Sequence, residues 1–400
     1  MECITNIKNI GLRDIPVADT LVCGIDPQKG VLIYRGFDVL DLAAHSSYEE
    51  TAFLLLHGRL PATSELKTFS DRLAGFRTLP DAVIQSMRLR PKTASPMDVL
   101  QGAAAFLADY DPDIRNETRE AEVDRGMRIV GAFPSIVAAW ERIRKGLPVV
   151  TPDPALPHAG NFLHMLHGKR PDPQTARDLD VCLIVHAEHS FNASTFTARA
   201  VCSTRSHTYG AVAAAVASLA GELHGGANTR VMMMLEAVGS KERAAEWVTQ
   251  QLMEGKRIMG LGHAVYEVDD PRVKVLKPMA EAIGRRMGEP RWFDLAQEIE
   301  RVAKEVFLNY KGKSIPTNVD FYSAPVYNAM GIPKDVFTPV FAMARTAGWV
   351  AHIIEERFGE AHGKPQLYRP QADYIGSYCG PDKCEYMPLG ERQQATGSRQ

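Results

Sequence analysis

Apolar side chains recur at three-to-four spacing through most of this chain, and that period, which an α-helix presents as one face, constrains the fold more than any other feature. EETAFLLLHG, PMDVLQGAAAFLADY, SIVAAWERIRKG and PRWFDLAQEIERVAKEVF all carry it. Alternation with a period of two is nearly confined to GVLIYRGFDV, Gly30 to Val39. The expected fold is therefore almost all-α. Proline and glycine punctuate Leu147 to Gly160 and Arg285 to Trp292, which predicts breaks between helices rather than disordered linkers, and no internal repeat stands out. GAVAAAVASLAG sets Gly210, Ala214 and Ser218 on one face and reads as a tightly buried helix. Thr338 and Pro339 read as the N-cap and first residue of a helix whose one formal charge between Asp335 and Glu355 is Arg345.

Charge narrows the function. Lys plus Arg number 46 against 48 Asp plus Glu, so no basic excess argues for nucleic acid or an anionic membrane. No uncharged run reaches the roughly 18 to 20 apolar residues of a membrane span, and the N-terminus lacks the pattern of a secretory signal. A cytoplasmic enzyme acting on small molecules is the expectation. Six cysteines in 400 residues do not make a disulfide scaffold, and CGPDKC, with Cys379 and Cys384, is an isolated pair that specifies no metal.

Several polar residues stand where chemistry could use them. In LHGGAN, His224 precedes a helix start, whose partial positive charge favours a neutral ring able to donate a hydrogen bond. In GLGHAVYEVDDPR, glycines flank His263, which could polarise a carbonyl, and Arg272 follows nine residues on. Arg272, Arg345 and Arg369 suit carboxylates, Asp320 in NVDFYS sits among apolar neighbours that would raise its pKa, and HAEHSF places His186 and His189 at i, i+3. A metal there lacks a third ligand, so none is expected. Taken singly, each residue fits a cap or an internal ion pair as well. KGKS fails as a phosphate loop because Phe307 stands five before Gly312 and no strand precedes it, and Gly260-x-Gly262 lacks the third glycine of a dinucleotide motif and follows a helix-like segment.

Taken in order, HAEHSFNAST, LHGGAN, GLGHAVYEVDDPR, NVDFYS and RPQADYIG resemble the citrate synthase family, and GVLIYRGFDVLDLA, FLLLHGRLP, PMDVLQGA and KGLPVVTPDPALPHAGNFLHML extend the likeness nearly end to end. The resemblance implies a large helical domain, 1–223 with 331–400, and a smaller mobile one, 224–330, in a homodimer. It implies an acyltransferase that condenses acetyl-CoA with oxaloacetate, converting the acyl group to an alkyl one on transfer, and hydrolyses the citryl thioester. Catalysis would fall to His224, His263 and Asp320, and oxaloacetate to His189, Asn192, Arg272, Arg345 and a partner-supplied Arg369. Coenzyme A would meet Lys256, Arg257, Gly260, Leu261, Gly262 and Asn318. No permanent cofactor is implied; acetyl-CoA, or propionyl-CoA in a 2-methylcitrate synthase, is a cosubstrate. A third reading is a relative that binds ligand without turnover.

The chain departs from the family pattern at Leu261, commonly aromatic, and at Glu267, commonly Lys or Arg near the CoA phosphates. An acid there would repel phosphate, so Lys256, Arg257, Lys274 or Lys277 would have to substitute, or CoA affinity falls. Glu188 and Ser190 replace the commoner Asp and Glu, and Ala324 replaces Gly.

Overall fold

A computed structural model describes residues 11–12 and 15–376, and the chain divides into two compact units, Met1–Leu367 and Tyr368–Gln400. Among the described residues, sixteen α-helices and one small sheet all lie in the first unit. The sheet is an antiparallel hairpin with a short third strand: β1 (Cys23–Asp26) pairs with β2 (Val31–Tyr34), and β2 with β3 (Phe37–Asp38). β2 and β3 fall in the stretch where the sequence alternates, Gly30 to Val39, whereas β1 lies before it. The breaks also fall where proline and glycine predict them, between helices ending at Arg144 and starting at His158, and between Arg286 and Arg291.

A helix buried on every side organises the larger part of the unit. Phe337–Phe358 packs against Arg119–Arg144, Ala193–Ser203, Tyr48–His57, Pro173–His186 and Thr208–Ala220. Its apolar residues surround it completely, as a central helix requires. Its acids are answered internally: Arg199, itself fully buried, binds Glu355 and Glu356 at 2.6 Å each, and its His352 Nε2 lies 3.0 Å from Glu188 Oε1. A second group of helices gathers around Val319–Ala329, which packs on Val273–Arg286 and Ala227–Val238.

Two local expectations are corrected. The last long helix starts at Phe337, capped by Val336 and led in by a 3-10 turn at Lys334–Val336, so Thr338 and Pro339 each sit two residues further into the helix than expected. The Thr208–Ala220 helix buries the larger face, Val212, Val216 and Leu219, while Gly210, Ala214 and Ser218 are only half-buried. The face with more apolar area takes the core because burial scales with area. Cys379 and Cys384 lie outside the described residues; Cys23, Cys182 and Cys202 are buried free thiols. No helix among the described residues is long and apolar enough to cross a membrane.

Removing a cation from a buried ionic network leaves its partners uncompensated, at about 3 to 5 kcal/mol for one strong pair. Arg199→Met is expected to lower unfolding stability by about 3 kcal/mol, read as a shift in urea midpoint at unchanged slope.

Candidate active site

Three loop segments meet over the N-terminus of Val319–Ala329, and backbone pairing fixes their order. Leu261 and Thr317 form an isolated β-bridge. Gly262 N–H donates to Pro316 O at 2.7 Å, Asn318 N–H to Gly260 O at 3.0 Å, and Asp270 N–H to Thr317 O at 3.0 Å. The stretch after Pro316 is thus held between both ends of GLGHAVYEVDD. Gly260 has φ +81, and a Cβ there would lie 2.6 Å from the Phe321 ring, so the turn before His263 admits no side chain.

These segments line a cleft of about 820 Å³. His189, Asn192, His224, His263, Arg272, Asp320 and Arg345 all face it. Arg257, Gly260, Leu261, Gly262 and Asn318 line it too. Lys256 does not; it is exposed and pairs with Glu254 at 2.6 Å. Arg369 belongs to the second unit and is exposed.

His224 is a donor by construction. Its Nε2 accepts the backbone N–H of Ser194 at 3.2 Å and contacts Ser194 Oγ at 2.8 Å, so the proton resides on Nδ1. Ser194 is the second residue of the Ala193–Ser203 helix. The helix terminus that acts on the ring is therefore that one, rather than the helix after LHGGAN. Burial, with Arg345 adding to it, holds the ring down at about 4, so it is neutral at pH 7. Trp349 Nε1 donates to Ser194 Oγ at 3.1 Å and steadies the support.

Asp320 has the opposite shift. Asn318 caps the helix with its own side chain, accepting Asp320 N–H at 3.0 Å, which leaves the Asp320 carboxylate without a hydrogen bond among the described residues. Burial pushes its pKa up to about 6, against the pull of Arg272 and His263. A carboxylate so placed is a base near neutrality.

On the other wall, His263 Nδ1 accepts the N–H groups of Val265 and Tyr266 at 2.9 and 3.0 Å, which puts the proton on Nε2. The His189 ring lies 5.6 Å from it, and burial beside Arg272 holds His189 well below its ordinary pKa. His189 Nε2 is buried without a hydrogen-bond partner among the described residues. His186 does not join it: the helix ends at His186, which turns its Nδ1 to Cys182 O at 2.7 Å, while His189 lies in the following turn. The expected i, i+3 pair is broken by that helix end.

Two guanidiniums complete this wall. Arg272 grips Asp270 with two bonds, of 2.9 and 2.6 Å, and Arg345 donates Nε–H to His186 O at 2.8 Å while forming no salt bridge among the described residues. Burial works against the Arg345 charge, partly offset by Glu188. His189, His263 and Asp270 bring metal-capable atoms within 4.8 Å of one another, but Arg272 already neutralises that carboxylate and would repel a cation. Cationic, donor-rich and buried, the pocket suits a small dianion. Asp270 was missed in the sequence although it stands two residues before Arg272, and Ser194 and Tyr266 act through contacts that spacing does not display.

Residues 11–371 match the family model for the citrate synthase C-terminal domain. The chain belongs to the citrate synthase family. It is 41% identical over 387 residues to a citrate synthase of Haloferax volcanii, covering 96% of this chain and 98% of that one. It is 39% identical over 370 residues to a 2-methylcitrate synthase of Mycobacterium tuberculosis, covering 92% and 90%. Its structure matches that of a Thermoplasma acidophilum citrate synthase, solved as a ternary complex with carboxymethyl coenzyme A and oxaloacetate, with a TM-score of 0.86 at 29% identity over 96% and 99% of the chains. The chain is therefore an enzyme, an acyltransferase of the citrate synthase type.

The raised Asp320 pKa has a sign that can be tested. A base must be ionised to act, so turnover should rise with pH through about 6 and level off above it. A rate profile with no inflection between pH 5 and pH 7 would contradict that environment for Asp320.

Proposed function

We propose that this enzyme condenses acetyl-CoA with oxaloacetate and hydrolyses the resulting citryl thioester to citrate and CoA. Asp320 takes a proton from the acetyl methyl group, and His224 donates its Nδ1–H to the enolate oxygen that forms. The enolate carbon attacks the oxaloacetate ketone, whose oxygen His263 polarises through Nε2–H. Arg272 and Arg345 hold the carboxylates with His189 and Asn192, and Arg369 of a partner subunit completes the set. Water then cleaves the thioester and CoA leaves. The observation that carries this reading is the pairing, in one cleft, of a neutral imidazole donor with an elevated carboxylate base beside two buried guanidiniums.

The CoA end of the cleft accommodates the departure at Glu267. Glu267 is exposed, bonds through its N–H to Pro27 O at 3.1 Å, and is absent from the cleft lining. Lys277 is engaged by Glu300 at 2.6 Å and Lys256 by Glu254. Arg257 lines the cleft, is exposed, and has no ion pair or hydrogen bond among the described residues. It is the cation we assign to the CoA phosphates.

Residues 224–330 act in this reading as a small domain that closes on 1–223 and 331–400, excluding water until the carbon bond is made. The enzyme works as a cytoplasmic homodimer in the tricarboxylic acid cycle. The half-buried face of Gly210, Ala214 and Ser218 offers a close approach for a second copy.

Mixing oxaloacetate with acetyl-CoA or propionyl-CoA and following free thiol decides the matter. Release with a higher kcat/KM for acetyl-CoA is expected; a clear propionyl preference would make this a 2-methylcitrate synthase, and no release with either would sink the enzymatic reading. Asp320→Ala should lower kcat by about a thousandfold while oxaloacetate still binds. Arg257→Ala should raise the acyl-CoA KM about fivefold with kcat nearly unchanged, as loss of one phosphate contact implies.

A further inference from the structure

The small sheet touches both loops that carry the oxaloacetate histidines. β2 is four residues long, about 13 Å at roughly 3.3 Å per residue. At its far end the buried Tyr34 hydroxyl donates to Glu188 O at 2.9 Å and accepts Glu188 N–H at 3.3 Å, which fixes the turn that presents His189. At its near end the β1–β2 turn seats on the stretch between His263 and Asp270. Pro27 O accepts Glu267 N–H at 3.1 Å, and a Cβ on Gly30, φ +63, would lie 3.0 Å from Val268 Cγ2 and 3.2 Å from Asp269 O.

That seat reaches the chemistry through the backbone. The His263 ring is bonded to the N–H groups of Val265 and Tyr266, so a shift of the stretch that meets the turn carries the ring with it. The buried Tyr266 ring stands 4.6 Å from His263 and 5.6 Å from His189, in contact with both histidine rings. Val268 itself is 41% exposed, so the contact buries little apolar area and adds little to the core. Its consequence is placement.

We propose that the Pro27–Gly30 turn is a latch on the His263 segment, and that Gly30 and Val268 are positioning residues that set the spacing of His189 and His263 for oxaloacetate. This rests on the oxaloacetate reading above, and in the proposed division of domains the contact joins 1–223 to 224–330. A latched turn aligns both donors on one ligand; a displaced turn lets His263 drift from its partner without touching Asp320 or His224.

Gly36 supplies the control. It lies in the same sheet at φ +92, further from the left-handed well than Gly30, but a Cβ there would meet nothing within 4 Å, so Gly36→Ala imposes at least the backbone strain of Gly30→Ala without the collision. Oxaloacetate binding is measured by calorimetry without acyl-CoA, alongside Tm and the separate KM and kcat values. Gly30→Ala is expected to weaken oxaloacetate binding about fivefold, at a Tm close to that of Gly36→Ala, because misplacement of a few tenths of an ångström costs affinity steeply. Adding Val268→Ala, which removes the clashing methyl, should recover most of that loss, while Val268→Ala alone, at an exposed position that folding tolerates, should weaken binding about twofold. Gly30→Ala binding no worse than Gly36→Ala, or a loss that Val268→Ala leaves unrecovered, overturns the latch. If Gly30→Ala fails to fold, undiminished binding by Val268→Ala alone overturns it. A wild-type enzyme that does not bind oxaloacetate overturns the reading of the site and the latch together.

Discussion

The site depends on one buried carboxylate. Glu300, on the Arg291–Lys311 helix, accepts from Thr317 Oγ1 at 2.6 Å, Tyr322 Oη at 2.5 Å, Lys277 at 2.6 Å and Lys304 at 3.0 Å. Burial alone would raise its pKa, and these donors instead hold it down at about 2. A buried charge satisfied four times over resists displacement, because loss of any donor leaves the others facing an underpaired carboxylate. Thr317 is the hinge of the arrangement: its N–H goes to Asp269 Oδ1 at 2.7 Å and its carbonyl accepts Asp270 N–H. Lys304 also reaches Asp269 at 2.7 Å. Through these bonds one helix fixes the segment bearing His263 and Arg272 against the segment bearing Asn318 and Asp320.

On that frame, burial does the chemical sorting. It lowers His224 to about 4 and raises Asp320 to about 6, since loss of water disfavours the charged form of each. At pH 7 the imidazole is a neutral donor and the carboxylate an available base, the division of roles that enolate formation needs. The same loss of water works against the Arg345 charge, and an anionic ligand is what would relieve it. The polarity of the pocket and the protonation of its groups thus follow from one cause.

Much of this was legible in the sequence where the relevant relation is local. The three-to-four period marks the helices, and the alternating stretch marks β2 and β3 but not β1, whose four residues carry no such pattern. His263 and Arg272 could be picked out because the glycines and the proline that shape their loop are neighbours in the chain. Relations across the fold were not legible. Arg199 meets Glu355 and Glu356 more than 150 residues away, and Glu300, in a helix whose outer face is crowded with charge, looks like any surface acid. The setting of Glu267 was not legible either: the family resemblance marks it as an acid where a cation is common, but not the backbone bond to Pro27 that ties this stretch to the hairpin. The His186 and His189 pairing failed because a helix end is decided by what the turn must contact, here Tyr34, and not by the spacing of the two histidines.

The placement of backbone strain follows the same logic. Ser190, next to His189, has φ +52, a conformation uncommon outside glycine, and Gly260 before His263 has φ +81 where a side chain would strike Phe321 and Val231. Such conformations each cost about 1 to 3 kcal/mol for a residue with a side chain and persist only where surrounding contacts dictate them. Here those contacts are identifiable: Tyr34 holds the turn before Ser190, and the Thr317 pairing holds Gly260. The two histidines lie 5.6 Å apart on one wall of the cleft but come from separate segments of the chain, each outside a helix. The largely helical scaffold therefore presents His189 and His263 from irregular turns, and the short sheet and the Glu300 network are what make those turns as definite as the helices around them.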